Sequence, residues 1–146
     1  MTQLLRTRTA GFVVTAGIVG LTLATANIHL GLGGLLFTLN ALGYAGLAAL
    51  IVIAAVTPMA VVRRFAWFPR LALIGYTAMT IAGYLVMGPY FTLGFIAKGI
   101  EVVLIALVVV DVIRVYGSPM GFVRSALESV APVLPARVRR QVLAEA

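Results

Sequence analysis

Four apolar stretches, roughly residues 10–30, 35–56, 71–87 and 91–110, occupy most of the chain and leave almost no polar sequence between them. Each approaches the ~20 residues that a helix needs to cross ~30 Å of hydrocarbon. The pattern predicts an all-α fold: a four-helix transmembrane bundle of two antiparallel hairpins, followed by a C-terminal amphipathic helix in the cytosol. Only 10% of residues are charged, against ~25% in a typical soluble domain. The 146 residues divide into a transmembrane domain, 1–116, and a basic tail, 117–146.

The net charge of +7 would suit a nucleic-acid surface, but its distribution argues for topology instead. Arg6 and Arg8 precede the first stretch. Arg63, Arg64 and Arg70 lie between the second and third, and Arg114, Arg124, Arg137, Arg139 and Arg140 follow the fourth. Ten of the eleven basic residues thus fall on one side, and the connections at 31–34 and 88–90 carry no charge. This is the positive-inside pattern, which puts both termini in the cytoplasm of a cell whose plasma (inner) membrane holds the protein. No segment interleaves basic residues with exposed aromatics, so no nucleic-acid partner is expected. The residues ahead of 24 also resemble a signal peptide, with Ala24-Thr25-Ala26 as a cleavage-like site. We read that segment as an uncleaved first span.

The connections are short. Gly31, Gly33 and Gly34 turn the first hairpin, and Gly88-Pro89 the second, where glycine permits positive φ and proline sets the backbone angle. Short outer loops make each helix pair antiparallel neighbours. Trp67 and Phe68, beside Arg63, Arg64 and Arg70, read as an interfacial belt. A faint echo links Gly34-Leu-Leu-Phe37-Thr38-Leu39 with Gly88-Pro-Tyr-Phe91-Thr92-Leu93, 54 residues later, as a parallel repeat would; chance among common residues is the alternative. Small residues recur four apart at Ala16, Gly20 and Ala24 and at Ala41, Ala45 and Ala49. Such stripes let helix backbones approach, within the chain by default or against another copy or subunit.

After Tyr116 the pattern changes. Ser118-Pro119 is a helix start. Phe122, Val123, Ala126, Leu127 and Val130 form an apolar stripe, with Arg124 and Glu128 opposite. A second short helix is expected to set Val138, Val142 and Leu143 against Arg137, Arg139 and Arg140. Both read as helices lying on the inner membrane face, or docking a cytoplasmic partner. Arg63, Arg64, Trp67, Arg70, Arg124, Arg137, Arg139 and Arg140 are therefore the expected contacts with the membrane surface or a partner.

Lys98 and Glu101 interrupt the fourth stretch. At 1.5 Å per residue they lie ~10 and ~15 Å below its outer start. An ionised group at that depth costs at least ~2.5–3.5 kcal/mol unless it is paired or hydrated. Three residues apart, the two share a helix face and can pair. They form either a proton or cation site or a neutral pair that sets helix register. His29, Asn27 and Asn40 sit in the same outer third and are candidates to join them. His29 without a second close ligand makes a poor metal site. A haem or (bacterio)chlorophyll held by His29 would need another ligand from elsewhere. Asp111 and Arg114 read as a local interfacial ion pair. No nucleophile–base pair, phosphate loop or metal cluster is present in the pattern, so no enzymatic activity and no resident cofactor or metal is expected.

The stretch Ile28-His29-Leu30…Leu36-Phe37-Thr38-Leu39-Asn40-Ala41-Leu42-Gly43-Tyr44 resembles small uncharacterised four-span bacterial membrane proteins of actinobacterial type. Those tend to show a histidine ending the first span and a Leu-Phe-x-Leu-Asn-Ala run opening the second. In that group a longer loop usually separates the two pieces. The resemblance implies the architecture and carries no activity. Three functions follow as expectations. The first is an accessory or scaffold subunit of a larger membrane complex, or a homo-oligomer. The second is a small proton- or cation-coupled transporter or channel using Glu101 with Lys98. The third is a pigment or haem carrier through His29.

Overall fold

The computed structural model describes residues 7–133. Among the described residues all regular structure is helical: α1 (Arg8–Leu32), α2 (Leu35–Val56), α3 (Ala60–Arg64), α4 (Trp67–Met87), α5 (Thr92–Tyr116), α6 (Pro119–Val130) and a closing 3-10 turn, Ala131–Val133. Arg6 and the expected second tail helix, with Arg137, Arg139 and Arg140, lie outside the described residues.

Local chemistry sets the helix ends. Thr7 caps α1, its hydroxyl accepting from the Ala10 N–H at 3.1 Å. Gly33 and Gly34, at φ 72° and 82°, turn the chain into α2 through a conformation that a side chain resists. The turn at Gly88-Pro89 works differently from expectation. Gly88 has φ −75°, so it supplies no left-handed residue. A Cβ there would instead stand 2.5 Å from the Tyr84 ring, so glycine makes room while Pro89 stops the helix. Ser118 accepts from the Gly121 N–H at 2.9 Å with Pro119 at the first helical position, and α6 begins there.

Two helices outrun their apolar stretches. α4 starts at Trp67 rather than 71, and α5 continues to Tyr116 rather than 110, where Gly117 at φ 80° ends it. Hydropathy marks where apolar side chains stop. Backbone hydrogen bonding continues through charged residues whose side chains find partners, and Arg70, Asp111 and Arg114 all do. The echoed segments also enter their helices at different points. Phe37 lies in the first turn of α2, whereas Phe91 is the N-cap of α5.

α1 lies against α2 and α5, and α4 against α2 and α5. The start of α1 meets the end of α5, where Gly11 leaves room for the Arg114 guanidinium. At the other end His29 of α1 reaches Glu101 of α5. Ile18, Tyr44, Leu73, Leu104 and Val108 fill the apolar core. Polarity is otherwise inverted relative to a water-soluble bundle. Phe12, Leu36, Met79 and Val86 are 75–81% exposed, whereas Thr22, Thr25, His29, Arg70, Thr77, Glu101 and Asp111 are buried. α1, α2, α4 and α5 are each long and apolar enough to cross a membrane.

The α1 stripe of Ala16, Gly20 and Ala24 does not serve intramolecular packing. All three residues are exposed, and the opposite side of α1, through Val14, Ile18 and Thr22, meets the other helices. α6 also differs from an independent surface helix. Phe122 is buried edge-on to Tyr116, with ring centroids 5.1 Å apart. The Ser129 carbonyl accepts from Arg64 Nε at 2.9 Å, and its hydroxyl accepts from Trp67 Nε1 at 2.7 Å. Arg64 and Trp67, expected as surface contacts, hold α6 onto the bend between α3 and α4. Val123 stays exposed, and Arg124 pairs with Glu128 at 2.8 Å on the solvent side.

Candidate functional site

Among the described residues the buried ionisable groups fall into two clusters. The first surrounds Glu101, whose side chain is fully buried. Its Oε2 accepts from Lys98 Nζ at 2.6 Å and from the Thr80 hydroxyl at 2.9 Å. Thr80 has one hydroxyl hydrogen, shared between Glu101 Oε2 and the Thr77 carbonyl at 2.9 Å, so the Tyr44 hydroxyl donates to Thr80 at 2.8 Å. Tyr44, Thr80 and Glu101 then form a continuous chain across α2, α4 and α5. Lys98 lies one helical turn before Glu101 and packs over the Tyr84 ring at 5.7 Å.

Glu101 Oε1 is buried and has no hydrogen-bond partner. It faces His29 Nε2 across 3.9 Å. The other ring nitrogen settles which atom of His29 carries hydrogen. Nδ1 lies 2.8 Å from the Thr25 carbonyl, which can only accept, so Nδ1 is protonated. In a neutral ring Nε2 therefore presents a lone pair towards a carboxylate oxygen that itself has only lone pairs. This arrangement repels until one proton enters it. A proton on either atom makes an attractive contact, which becomes a direct hydrogen bond if the gap closes by ~1 Å. The ring is held in place by Phe37 and Tyr44, with centroids at 6.2 and 5.7 Å.

Helix geometry explains how a residue near the end of α1 meets one well inside α5. Side chains lean towards the N-terminus of their own helix. α1 and α5 run in opposite directions, so His29 and Glu101 lean towards each other along the bundle.

Of the two asparagines expected to join this cluster, Asn27 does not, and Asn40 shares only a cleft with His29, Thr80 and Lys98. Asn27 is exposed. Asn40 lines a neighbouring cleft and contributes its backbone carbonyl, which accepts from the Tyr76 hydroxyl at 3.2 Å. Glycine at 43 makes that approach feasible, since a Cβ there would collide with the Tyr76 hydroxyl. The cleft runs between α2 and α4 and has a volume of about 620 Å³. His29, Thr80 and Lys98 stand among its lining residues, alongside Leu36, Leu39 and Met79.

The second cluster lies at the opposite end of the bundle. Asp111 is buried between two guanidiniums: Arg70 Nε donates to Oδ2 at 2.8 Å, and Arg114 Nη2 to Oδ1 at 2.6 Å. Arg70 also donates to the Ala66 carbonyl at 2.6 Å and lies over the Tyr116 ring. Arg70 is therefore not a surface contact, and the local pair of Asp111 with Arg114 is present but shares its carboxylate with Arg70. The three form one buried unit that joins α4 to α5 and carries a net positive charge.

Thr80, Tyr44 and the Arg70–Asp111 bond were not read from the sequence. Two of them had a signal. Thr80 and Glu101 stand ten residues either side of Tyr90-Phe91, which closes the turn begun by Gly88-Pro89, and Arg70 and Asp111 stand twenty either side of it. Folding the chain at that turn pairs both sets. Tyr44 had no such marker, because its place depends on how α2 meets α4. Among the described residues no group of three or more His, Asp and Glu side chains could hold a metal ion. No family model, curated protein or solved structure matches the chain.

Proposed function

We propose that the chain is a four-span integral membrane protein, built of two antiparallel hairpins with both ends in the cytosol, and that it is a small proton-coupled transporter. Glu101 and His29 hold the proton that it moves. The observation that carries this reading is the unpartnered Glu101 Oε1 facing His29 Nε2 at 3.9 Å, with Lys98 and Thr80 on the other oxygen. A pair meant only to lock helix register would have both carboxylate oxygens occupied, as Asp111 has. Intramembrane ionisable groups that face a cavity mark ion and proton pathways. Lys98 stabilises the carboxylate when it is charged, and His29 Nε2 accepts the hydrogen bond of the carboxyl O–H when it is protonated.

The test is proton movement in liposomes that enclose a pH-sensitive dye. The purified protein is expected to give a solute-dependent proton flux across a panel of apolar solutes. Glu101→Gln should abolish it, and His29→Gln should reduce it at least tenfold. Equal flux from wild type and Glu101→Gln would overturn the assignment.

A second reading, an accessory subunit of a larger membrane complex, is favoured by Ala16, Gly20 and Ala24, which are exposed among the described residues. Native gels of gently solubilised membranes test it: a larger complex supports it, and migration as a lone chain counts against it. For a haem or chlorophyll on His29, the visible absorption spectrum of the purified protein is decisive.

A further inference from the structure

We infer that the cleft between α2 and α4 binds a single-chain anionic amphiphile, its carboxylate on Lys98 and its tail between the helices, and that each molecule binds together with one proton. This rests on the proton site proposed above and names the class of solute coupled to it.

The cleft is open to the protein surface, and Gly88, Pro89 and Phe91 of the turn before α5 line it together with the helices. Leu36, Leu39, Met79 and Met87 line it and are 55–81% exposed, so its mouth is apolar and belongs to the surface that faces hydrocarbon. Entry from the lipid layer therefore costs no desolvation of the tail. The polar end is built from His29, Thr80 and Lys98. Its volume of about 620 Å³ lies within the range of small-molecule pockets. At roughly 30 Å³ per water-sized group it takes about 20 non-hydrogen atoms, the size of one long-chain acid and too few for a two-chain lipid.

Charge selects the head group. Lys98 has three N–H donors, and the structure gives it one acceptor, Glu101 Oε2. Its side chain is 12% exposed and borders the cleft, so the remaining donors are available to a ligand there. A carboxylate arriving at Lys98 takes over its positive charge. Glu101 then loses its counter-ion while buried, and it takes a proton from bulk water onto Oε1, where His29 Nε2 accepts the new O–H. Before binding, Lys98 and Glu101 cancel. After binding, Lys98 and the ligand cancel and Glu101 is neutral. The exchange is electroneutral, no covalent bond of the ligand changes, and one proton enters per anion. The groups that surround Glu101 and bear on this exchange are His29 of α1, Tyr44 of α2, Thr80 and Tyr84 of α4, and Lys98 of α5.

The experiment uses the full chain in lipid nanodiscs with a diazirine-bearing palmitate, read by mass spectrometry, and a pH dye in weak buffer at pH 7.5. Labelling is expected on the cleft residues, with excess palmitate competing at least tenfold better than hexadecanol. Lys98→Gln should reduce labelling at least tenfold, and Lys98→Arg should restore most of it. About one proton should be taken up per palmitate bound, and none by Glu101→Gln. Cleft labelling without proton uptake in the wild-type protein would overturn the coupling and with it the proton-site reading, while leaving the amphiphile site standing. A Glu101-dependent solute flux in liposomes without palmitate labelling would sink the amphiphile site alone. Equal competition by hexadecanol, or stronger labelling by a two-chain phospholipid probe, would overturn the head-group or single-chain assignment; both comparisons use wild-type protein and need no variant to fold.

Discussion

Replacing Asp111 by alanine should expose how much of the bundle depends on one carboxylate. Its side chain is 2% exposed and accepts three hydrogen bonds, one from Arg70 and two from Arg114. Truncation leaves the Arg70 guanidinium, 8% exposed, with only the Ala66 carbonyl. Breaking a buried pair by removing one partner costs about 3–5 kcal/mol, because the remaining charge stays desolvated. Arg114 is 18% exposed and can swing out to solvent, which places the expected loss towards the lower end of that range. For a chain of this length each kcal/mol moves the melting temperature by about 3 °C, so Asp111→Ala should melt roughly 10 °C below wild type. Circular dichroism at 222 nm in a mild detergent is a suitable assay. The double variant Arg70→Met with Asp111→Leu removes the buried charges together and should return to within about 2 kcal/mol of wild type, as apolar replacements of buried pairs do. If Asp111→Ala melts within 3 °C of wild type, the two guanidiniums are hydrated in the protein and the argument from burial fails.

Gly43→Ala drives a Cβ into the Tyr76 hydroxyl and should destabilise by about 1–3 kcal/mol in the same melt. Gly46→Ala, on the same helix with nothing within 4 Å, should be neutral or stabilising by up to ~1 kcal/mol. Trp67→Phe deletes the indole bond to Ser129, worth about 1 kcal/mol, so amide exchange in residues 119–130 should quicken about fivefold while α1 is unchanged. The chain contains no cysteine, so single cysteines report topology without background. Gly33→Cys should react with an impermeant maleimide on intact cells and Ser125→Cys only after lysis; the reverse would invert the proposed orientation.

Four long apolar helices joined by short turns were legible in the sequence, because hydropathy and glycine–proline punctuation are local properties of consecutive residues. The importance of Lys98 and Glu101 was legible for the same reason: a charge within an apolar run is anomalous wherever that run packs. Their partners were not. Which face of α1 turns inward sends His29 to Glu101 and leaves Asn27 and the Ala16–Gly20–Ala24 stripe outside, and that rotation depends on the fit of all four helices together. Arg70 illustrates the same limit. A charge next to an apolar stretch reads as a surface residue until another helix brings Asp111 within 2.8 Å and makes burial the cheaper state. α6 needed Arg64 and Trp67, more than sixty residues earlier, to hold Ser129. Sequence alone determined that four long apolar segments are helical and where charge is anomalous; pairwise contact between distant side chains is a property of the packed helices, and only the tertiary structure decided it.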